Sequence, residues 1–204
     1  EVNAVTINDT SIFAATVNGL LYAPKNSTAL AASQTWKKVP NIANQGKDNL
    51  EITNLLSLGN GKILITLPIA QTTFCDAFTF DGEEWNKIFE NEYIKSLRLS
   101  EGKLIKIAYR SLNIYDVNNL VNGGEIYHLS DEWNPVHGIH LDINDAIIDS
   151  QDLWLAHQTK GLIRLKDYRN GTHNKSEHFP EGPKSNHIYS ITAYATDFLL
   201  QTLY

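Results

Sequence analysis

Four aspartates, Asp142, Asp145, Asp149 and Asp152, crowd one short stretch and are the first place to look for a cation. Their spacings of three, four and three do not match a calcium loop, whose ligands fall on alternate residues and end on a bidentate Glu. Asp is a favoured turn residue, so these side chains are expected to face solvent. His137 and His140 lie three apart, and His173 and His178 five apart. The first pair is flanked by Pro135 and Gly138, which disfavour a helix, and no Glu stands where a zincin needs its base. They are expected to be surface residues. No Gly-x-Ser-x-Gly turn is present, and Ser185 and Ser190 flank an ordinary strand. Cys75, the only cysteine, sits between Phe74 and Asp76 with no cationic cluster to activate it. A single thiol excludes an internal disulfide and a thiolate metal cluster. No phosphate loop or dinucleotide fingerprint occurs, and Gly123-Gly124 is turn punctuation. The residues therefore predict no catalytic group, no metal and no cofactor, and the chain is expected not to be an enzyme.

The elements that would position these residues repeat. A short apolar pattern recurs at residues 12–17, 63–69, 104–110, 153–159 and 198–204, with starts 51, 41, 49 and 45 residues apart. Each is preceded by another strand candidate, at 2–7, 52–58, 94–99, 143–148 and 188–194, across a turn of Asn, Asp, Gly or Ser. Such residues accept positive φ or cap a turn with their own side chains. Third strands are expected at 19–23, 76–80, 125–129 and 161–166, leaving residues 110–124 as a protruding insertion. Trp36, Trp85 and Trp133 mark fourth strands at intervals of 49 and 48. Four antiparallel strands in about 45 residues is the signature of a β-propeller blade. A β-sandwich or β-helix is the alternative, but sandwiches do not repeat a Trp at this interval. The fold class is thus all-β: a β-propeller of four-stranded blades, at approximately 1–41, 50–90, 93–139 and 141–182, with a partial blade at 185–204. About four and a half units do not close a ring, so the sequence reads as a single propeller segment of a longer protein.

Composition agrees with a folded domain. The 204 residues are 42% hydrophobic and 20% charged, with a net charge of −6. An acidic chain is not a general nucleic-acid binder, because phosphates need clustered Lys and Arg. The longest nearly apolar run, residues 63–70, is too short to span a bilayer. The start lacks an initiator Met and a signal-peptide pattern, so a targeting segment is expected to have been removed. Sequons stand at Asn8, Asn26, Asn170 and Asn174.

In the fourth unit, residues 143–165 resemble the two-component-regulator propeller repeat. The matching features are the inner strand, the Asp-containing turn, Leu153-Trp154-Leu155-Ala156, and Gly161-Leu162 leading the third strand, with Asp152 near the place of the usual turn Gly. The junction Gly182-Pro183-Lys184-Ser185-Asn186-His187-Ile188-Tyr189-Ser190-Ile191 resembles that of the PorZ-type propellers of the type IX secretion system of Bacteroidetes. The resemblance implies an extracytoplasmic scaffold, in the periplasm or at the outer-membrane surface. Its partners would be other proteins of a secretion and attachment complex, with glycan or lipopolysaccharide as further ligands. The alternative is the periplasmic ligand-sensing propeller of a hybrid two-component regulator that binds glycan fragments; a propeller lyase or glycosidase ranks below both. The family's propeller carries no catalytic residues to transfer. Loops before the inner strands gather at one face, which makes Asn54, Asn144, Asn186, His187 and Tyr189 the candidate binding residues. Tyr115 is a candidate interface anchor on the insertion. The tryptophans, Trp154 included, are expected to pack between blades rather than to stack on sugars.

Overall fold

The computed structural model describes residues 1–108, 111–120, 125–128, 143–170, 176–179, 188–194 and 197–202. The described chain is all-β apart from short 3-10 turns, and it divides into two compact units, Glu1–Tyr93 and Ile94–Tyr204.

The first unit holds two four-stranded antiparallel sheets. One comprises β1 (Val2–Ile7), β2 (Ser11–Thr16), β3 (Gly19–Pro24) and β4 (Lys37–Lys38). The other comprises β5 (Asn54–Gly59), β6 (Lys62–Pro68), β7 (Cys75–Phe80) and β8 (Trp85–Glu92). Both run in simple meander order. The sheets face one another through Phe13, Ala15, Leu20, Ile52, Leu55, Ile63, Ile65, Phe78 and Trp85. Alternation makes this core: along β2, every second side chain points into the gap between sheets. First strands also touch directly. Asn3 Nδ2 donates to the Ile52 carbonyl at 2.9 Å, and the Ser57 N–H donates to Thr6 Oγ1 at 3.0 Å.

The second unit repeats the plan. One sheet comprises β9 (Ser96–Ser100), β10 (Lys103–Ile107), β11 (Ser111–Asp116) and β12 (Glu125–His128). The next comprises β13 (Ile143–Asp149), β14 (Asp152–His157), β15 (Gly161–Leu165) and β16 (Ser176–Phe179). A two-stranded sheet of β17 (Ile188–Tyr194) and β18 (Asp197–Thr202) follows. Ile105, Ile107, Leu112 and Ile114 pack on Ile143, Ala146 and Ile148. Ile147 and Trp154 pack on Ile188 and Ile191.

The third repeat departs from expectation. The segment read as a protruding insertion contains β11, a core strand, and the predicted third strand at 125–129 is the fourth strand β12. The preceding strand ends at Ile107 and the chain reverses at once, with the Ala108 N–H bonded to the Ser111 carbonyl at 2.9 Å. No Gly, Asn or Asp marks that reversal, whereas the Asn-rich stretch that follows Asp116 does turn, its Oδ1 accepting the Asn118 N–H at 2.9 Å.

The tryptophans divide in two. Trp85 is buried against Phe80, ring centroids 4.5 Å apart, and Trp154 is buried under the Arg164 guanidinium, which lies 5.2 Å from its ring centroid. Trp36 is only half-buried and precedes a two-residue strand, its Nε1 donating to the Leu30 carbonyl at 2.9 Å. Trp133 lies outside the described residues.

Candidate binding face

The first strand of each repeat starts at a loop end, and in three repeats a register shift follows its first residue: Val2/Ala4 in β1, Ile143/Asp145 in β13 and Ile188/Ser190 in β17. The extra residue, Asn3, Asn144 or Tyr189, is turned out of the ladder, as a bulge does. Asn144 Nδ2 donates to the Ile188 carbonyl at 2.8 Å, the same bond that Asn3 makes to Ile52. Asn144 is therefore half-buried and ties one sheet to the next. Asn54 is likewise engaged, its Nδ2 donating to Thr66 Oγ1 at 2.9 Å. Tyr189 is different: it remains 38% exposed and offers a ring to a ligand at that end. Tyr115 is buried in β11, with the Lys106 ammonium 5.6 Å from its ring centroid, so its position is a strand and not an exposed loop. Asn186 and His187 lie outside the described residues.

At the same loop end of the first unit, a recess of about 540 Å³ opens between the loop leading into β5 and the β6–β7 turn. Leu50, Leu67 and Ile69 give it apolar walls, and Gln45, Glu51, Gln71 and Asp76 line its polar side. Asp76 is neutralised by Lys87, Nζ to Oδ2 3.0 Å, and accepts the Asn91 N–H at 2.8 Å. Hydrogen bonds to Glu90 and then Asp76 hold the Lys87 ammonium above its usual pKa. Glu51 is exposed and has no ion-pair partner among the described residues. Phe74, 42% exposed, stands beside the turn. Apolar walls with a few placed polar groups are what a binding recess needs. Sequence reasoning missed Glu51 and the residues near 70, although the position before an inner strand was the right signal.

At the opposite end of this unit, Phe13, Tyr22, Phe80 and Pro40 line a second recess of about 310 Å³, with Asn8 and Asp81 at its margin. The backbone N–H groups of Glu84 and Glu83, at 2.9 and 3.0 Å, hold the Asp81 carboxyl below the ordinary carboxylate pKa. The Asn8 sequon is occupied by structure: its Nδ2 donates to the Gly61 carbonyl and its Oδ1 accepts the Ser11 N–H.

Two of the four clustered aspartates are not the solvent-facing turn residues expected. Asp145 is buried, and its Oδ2 accepts from Arg98 Nη1 at 2.6 Å, Ser190 Oγ at 2.9 Å and the Ile191 N–H at 3.0 Å. One carboxylate thereby links β9, β13 and β17. Asp152 is half-buried in an ion pair with Arg164, whose Nε lies 2.7 Å from Oδ2, and accepts the Asp167 N–H at 3.0 Å. Burial pushes the Asp152 pKa upward, but the Asp167 N–H and Arg164 outweigh it, and the net shift is downward. Asp149 is exposed, and Asp142 lies outside the described residues. No three metal-ligating groups come together among the described residues. His157, absent from the sequence candidates, is buried, and its Nδ1 accepts the Thr159 and Lys160 N–H groups, both at 3.1 Å. Thr16 occupies the corresponding hairpin end and caps its turn in the same way, accepting the Asn18 N–H at 3.0 Å. His137, His140 and His173 lie outside the described residues, while Cys75 is buried, its Sγ 3.6 Å from the Glu92 carbonyl.

The fold is shared with known structures. The chain has the fold of a quarter of PorZ, a surface component of the type IX secretion system of Porphyromonas gingivalis: TM-score 0.65, 10% identity, 98% of this chain and 25% of that one. It is similar to the extracellular domain of the hybrid two-component system BT4673 of B. thetaiotaomicron, with TM-score 0.62 and 15% identity over 98% of this chain and 26% of that one. The corresponding domain of BT3049 gives TM-score 0.60 and 11% identity over 98% and 25%. At these identities the likeness is one of fold. The chain spans about a quarter of the length of these structures. No family model and no curated protein matches the sequence. Among the described residues, no helix is long and apolar enough to cross a membrane.

Proposed function

We propose that this chain is a non-catalytic interaction domain of an extracytoplasmic protein, its sheets the blades of a β-propeller, acting by docking partners at its loop ends. The observation that carries this reading is the use of the polar groups. The buried or half-buried carboxylates Asp145 and Asp152 are bound to Arg98 and Arg164, and His157 Nδ1 caps a turn. Among the described residues, these side chains are committed to holding sheets and turns in place, while the 540 Å³ recess with Glu51 and the exposed Tyr189 ring stay accessible. Rigid scaffolds that present loops in this manner serve recognition. The likeness to PorZ favours a secretion and attachment complex, with protein partners and lipopolysaccharide or glycan as ligands. The likeness to the B. thetaiotaomicron domains favours glycan sensing as a second reading. Net charge −6 disfavours direct adhesion to anionic headgroups, so membrane association would run through partners.

Calorimetric titration of the chain with lipopolysaccharide and with defined oligosaccharides, for the native sequence and Glu51→Lys, tests the docking role. Saturable binding altered by Glu51→Lys supports the loop-end recess. Release of reducing ends or unsaturated products from those same sugars would refute the non-catalytic reading. The surrounding gene separates the two contexts: a membrane span followed by a histidine kinase means sensor, and a second propeller with a small β domain means secretion apparatus.

A further inference from the structure

Three aspartates are satisfied in one way: a backbone N–H fixes Oδ1, and a cation takes Oδ2. Asp76 accepts the Asn91 N–H at 2.8 Å and Lys87 Nζ at 3.0 Å. Asp116 accepts the Asn118 N–H at 2.9 Å and Lys103 Nζ at 3.0 Å, and Asp152 the Asp167 N–H at 3.0 Å and the Arg164 guanidinium. Beside Asp76 and Asp152 the cation also lies over an aromatic ring, Lys87 5.5 Å from the Phe78 centroid and Arg164 5.2 Å from that of Trp154. Asp81 has the first half of this arrangement and lacks the second. Its Oδ1 accepts the Glu83 and Glu84 N–H groups, while its Oδ2 takes part in no hydrogen bond or ion pair among the described residues. The aromatic surface is nonetheless at hand, because Asp81 lines the 310 Å³ recess together with Phe13, Tyr22 and Phe80. Trp85 backs the Phe80 ring, and the Phe13 and Tyr22 centroids lie 6.1 Å apart. Lys37, which pairs with Tyr22 in register, and Lys62, whose field reaches Asp81, form no ion pair among the described residues, so neither fills the place.

We infer that this recess is a docking site for one basic side chain, Lys or Arg, of a partner protein. The apolar stem of such a side chain covers ring surface, and its cation meets both the aromatic faces and the open carboxylate oxygen. Asp81 is ionised at neutral pH, since the Glu84 and Glu83 N–H groups hold its pKa below the ordinary carboxylate value. The other polar lining is already engaged: the Asn8 amide holds the Gly61 carbonyl and the Ser11 N–H. Asp9, Glu83 and Glu84 stand exposed on the turns that bound the recess, none in an ion pair among the described residues. An anionic occupant would meet these carboxylates, and an uncharged one would leave Asp81 Oδ2 without a cation. The net charge of −6 also speeds the approach of a basic partner. This site lies at the end of the first unit opposite the Glu51 recess and makes no use of it.

The test titrates the 204-residue chain with the end-capped peptide Gly-Gly-Arg-Gly-Gly and with its Lys and Gln counterparts, following the aromatic NMR signals of Phe13, Tyr22 and Phe80. Saturable shifts are expected with the Arg and Lys peptides and none with the Gln peptide at the same concentration. Asp81→Asn keeps an acceptor for the Glu83 and Glu84 N–H groups and removes the charge, and is expected to weaken the Arg peptide about three- to fivefold. Tyr22→Leu removes one ring face and is expected to weaken it about two- to fivefold. Glu51→Lys is expected to leave it unchanged, so failure of the loop-end docking role and failure of this inference are read separately. No shift with either basic peptide, equal shifts with the Gln peptide, or unaltered affinity in Asp81→Asn overturns the inference. Tetramethylammonium bound as tightly as the Arg peptide also overturns it, assigning the recess to a small free cation.

Discussion

Asp145→Ala is expected to be the most damaging polar substitution in the second unit. The carboxylate receives Arg98 Nη1, Ser190 Oγ and the Ile191 N–H on Oδ2, and the Ala146 N–H on Oδ1 at 2.9 Å. Ile191 is fully buried, so its N–H, once stripped of an acceptor, costs about 1–3 kcal/mol. Arg98 keeps 27% of its side chain in solvent and recovers part of its hydration, which holds its share near 1–2 kcal/mol. Together the loss is about 2–5 kcal/mol, which overlaps the range found when one partner of a buried pair is removed. Asp145→Asn keeps an acceptor for Arg98, Ser190 and Ile191 but sets its amide NH2 against the Ala146 N–H and removes the charge opposite Arg98, and is expected to cost about 2 kcal/mol. Urea unfolding followed by Trp fluorescence gives these values, and a double-mutant cycle with Arg98→Ala isolates the pair, with a coupling of about 1–2 kcal/mol. Amide exchange at Ile191 is the local readout and should accelerate in Asp145→Ala. A loss under about 0.5 kcal/mol, or unchanged exchange at Ile191, would refute the view that this carboxylate binds three strands together.

Gly19 has φ +115° and a Cβ there would stand 2.1 Å from the Asp48 carbonyl oxygen, so Gly19→Ala should cost about 3 kcal/mol or more by urea unfolding. Gly46→Ala, at φ +65° with no atom within 4 Å, should cost about 1 kcal/mol and serves as the control. Trp85→Ala is expected to lose about 3–5 kcal/mol because the ring is buried against Phe80, whereas Trp36→Ala should lose less than about 2 kcal/mol; equal melts for the two variants would contradict this. The depressed pKa of Asp152 means that its ion pair stabilises the fold above the ordinary carboxylate range and ceases to do so as pH falls through the lower folded value. The stability difference between the native chain and Asp152→Asn should therefore be full near neutral pH and shrink as pH falls below the ordinary carboxylate range through the lowered folded value, and a difference that persists undiminished in acid would reverse the sign of the argument.

Local chemistry was legible from the sequence where it acts over a few residues. Hairpins were visible because Gly59-Asn60-Gly61 and Glu101-Gly102 turn with positive φ at the expected places. Gly161-Leu162 was visible because the third strand opens at φ +80°, and Gly19-Leu20 repeats it at +115°. The reversal at Ala108 carries no such residue, so the sequence pattern gives β11 the look of a loop and Tyr115 that of its anchor. Asp145 was illegible for a different reason. Its partners Arg98 and Ser190 lie 47 and 45 residues away, which is close to one repeat length in each direction. A periodicity search finds strands that resemble one another, and such a pair is built from residues that differ between repeats. Where the first-strand position holds Ala4, Ser96 or Ser190, no carboxylate stands in the gap, and only Asp145 has a cation opposite it in the preceding strand. The periodic residues thus specify that sheets stack, and the aperiodic ones specify which sheet stacks on which. This division places the distinctive chemistry of each repeat at its junctions and loop ends, where Glu51 and Tyr189 also stand, rather than in the pattern that reveals the fold.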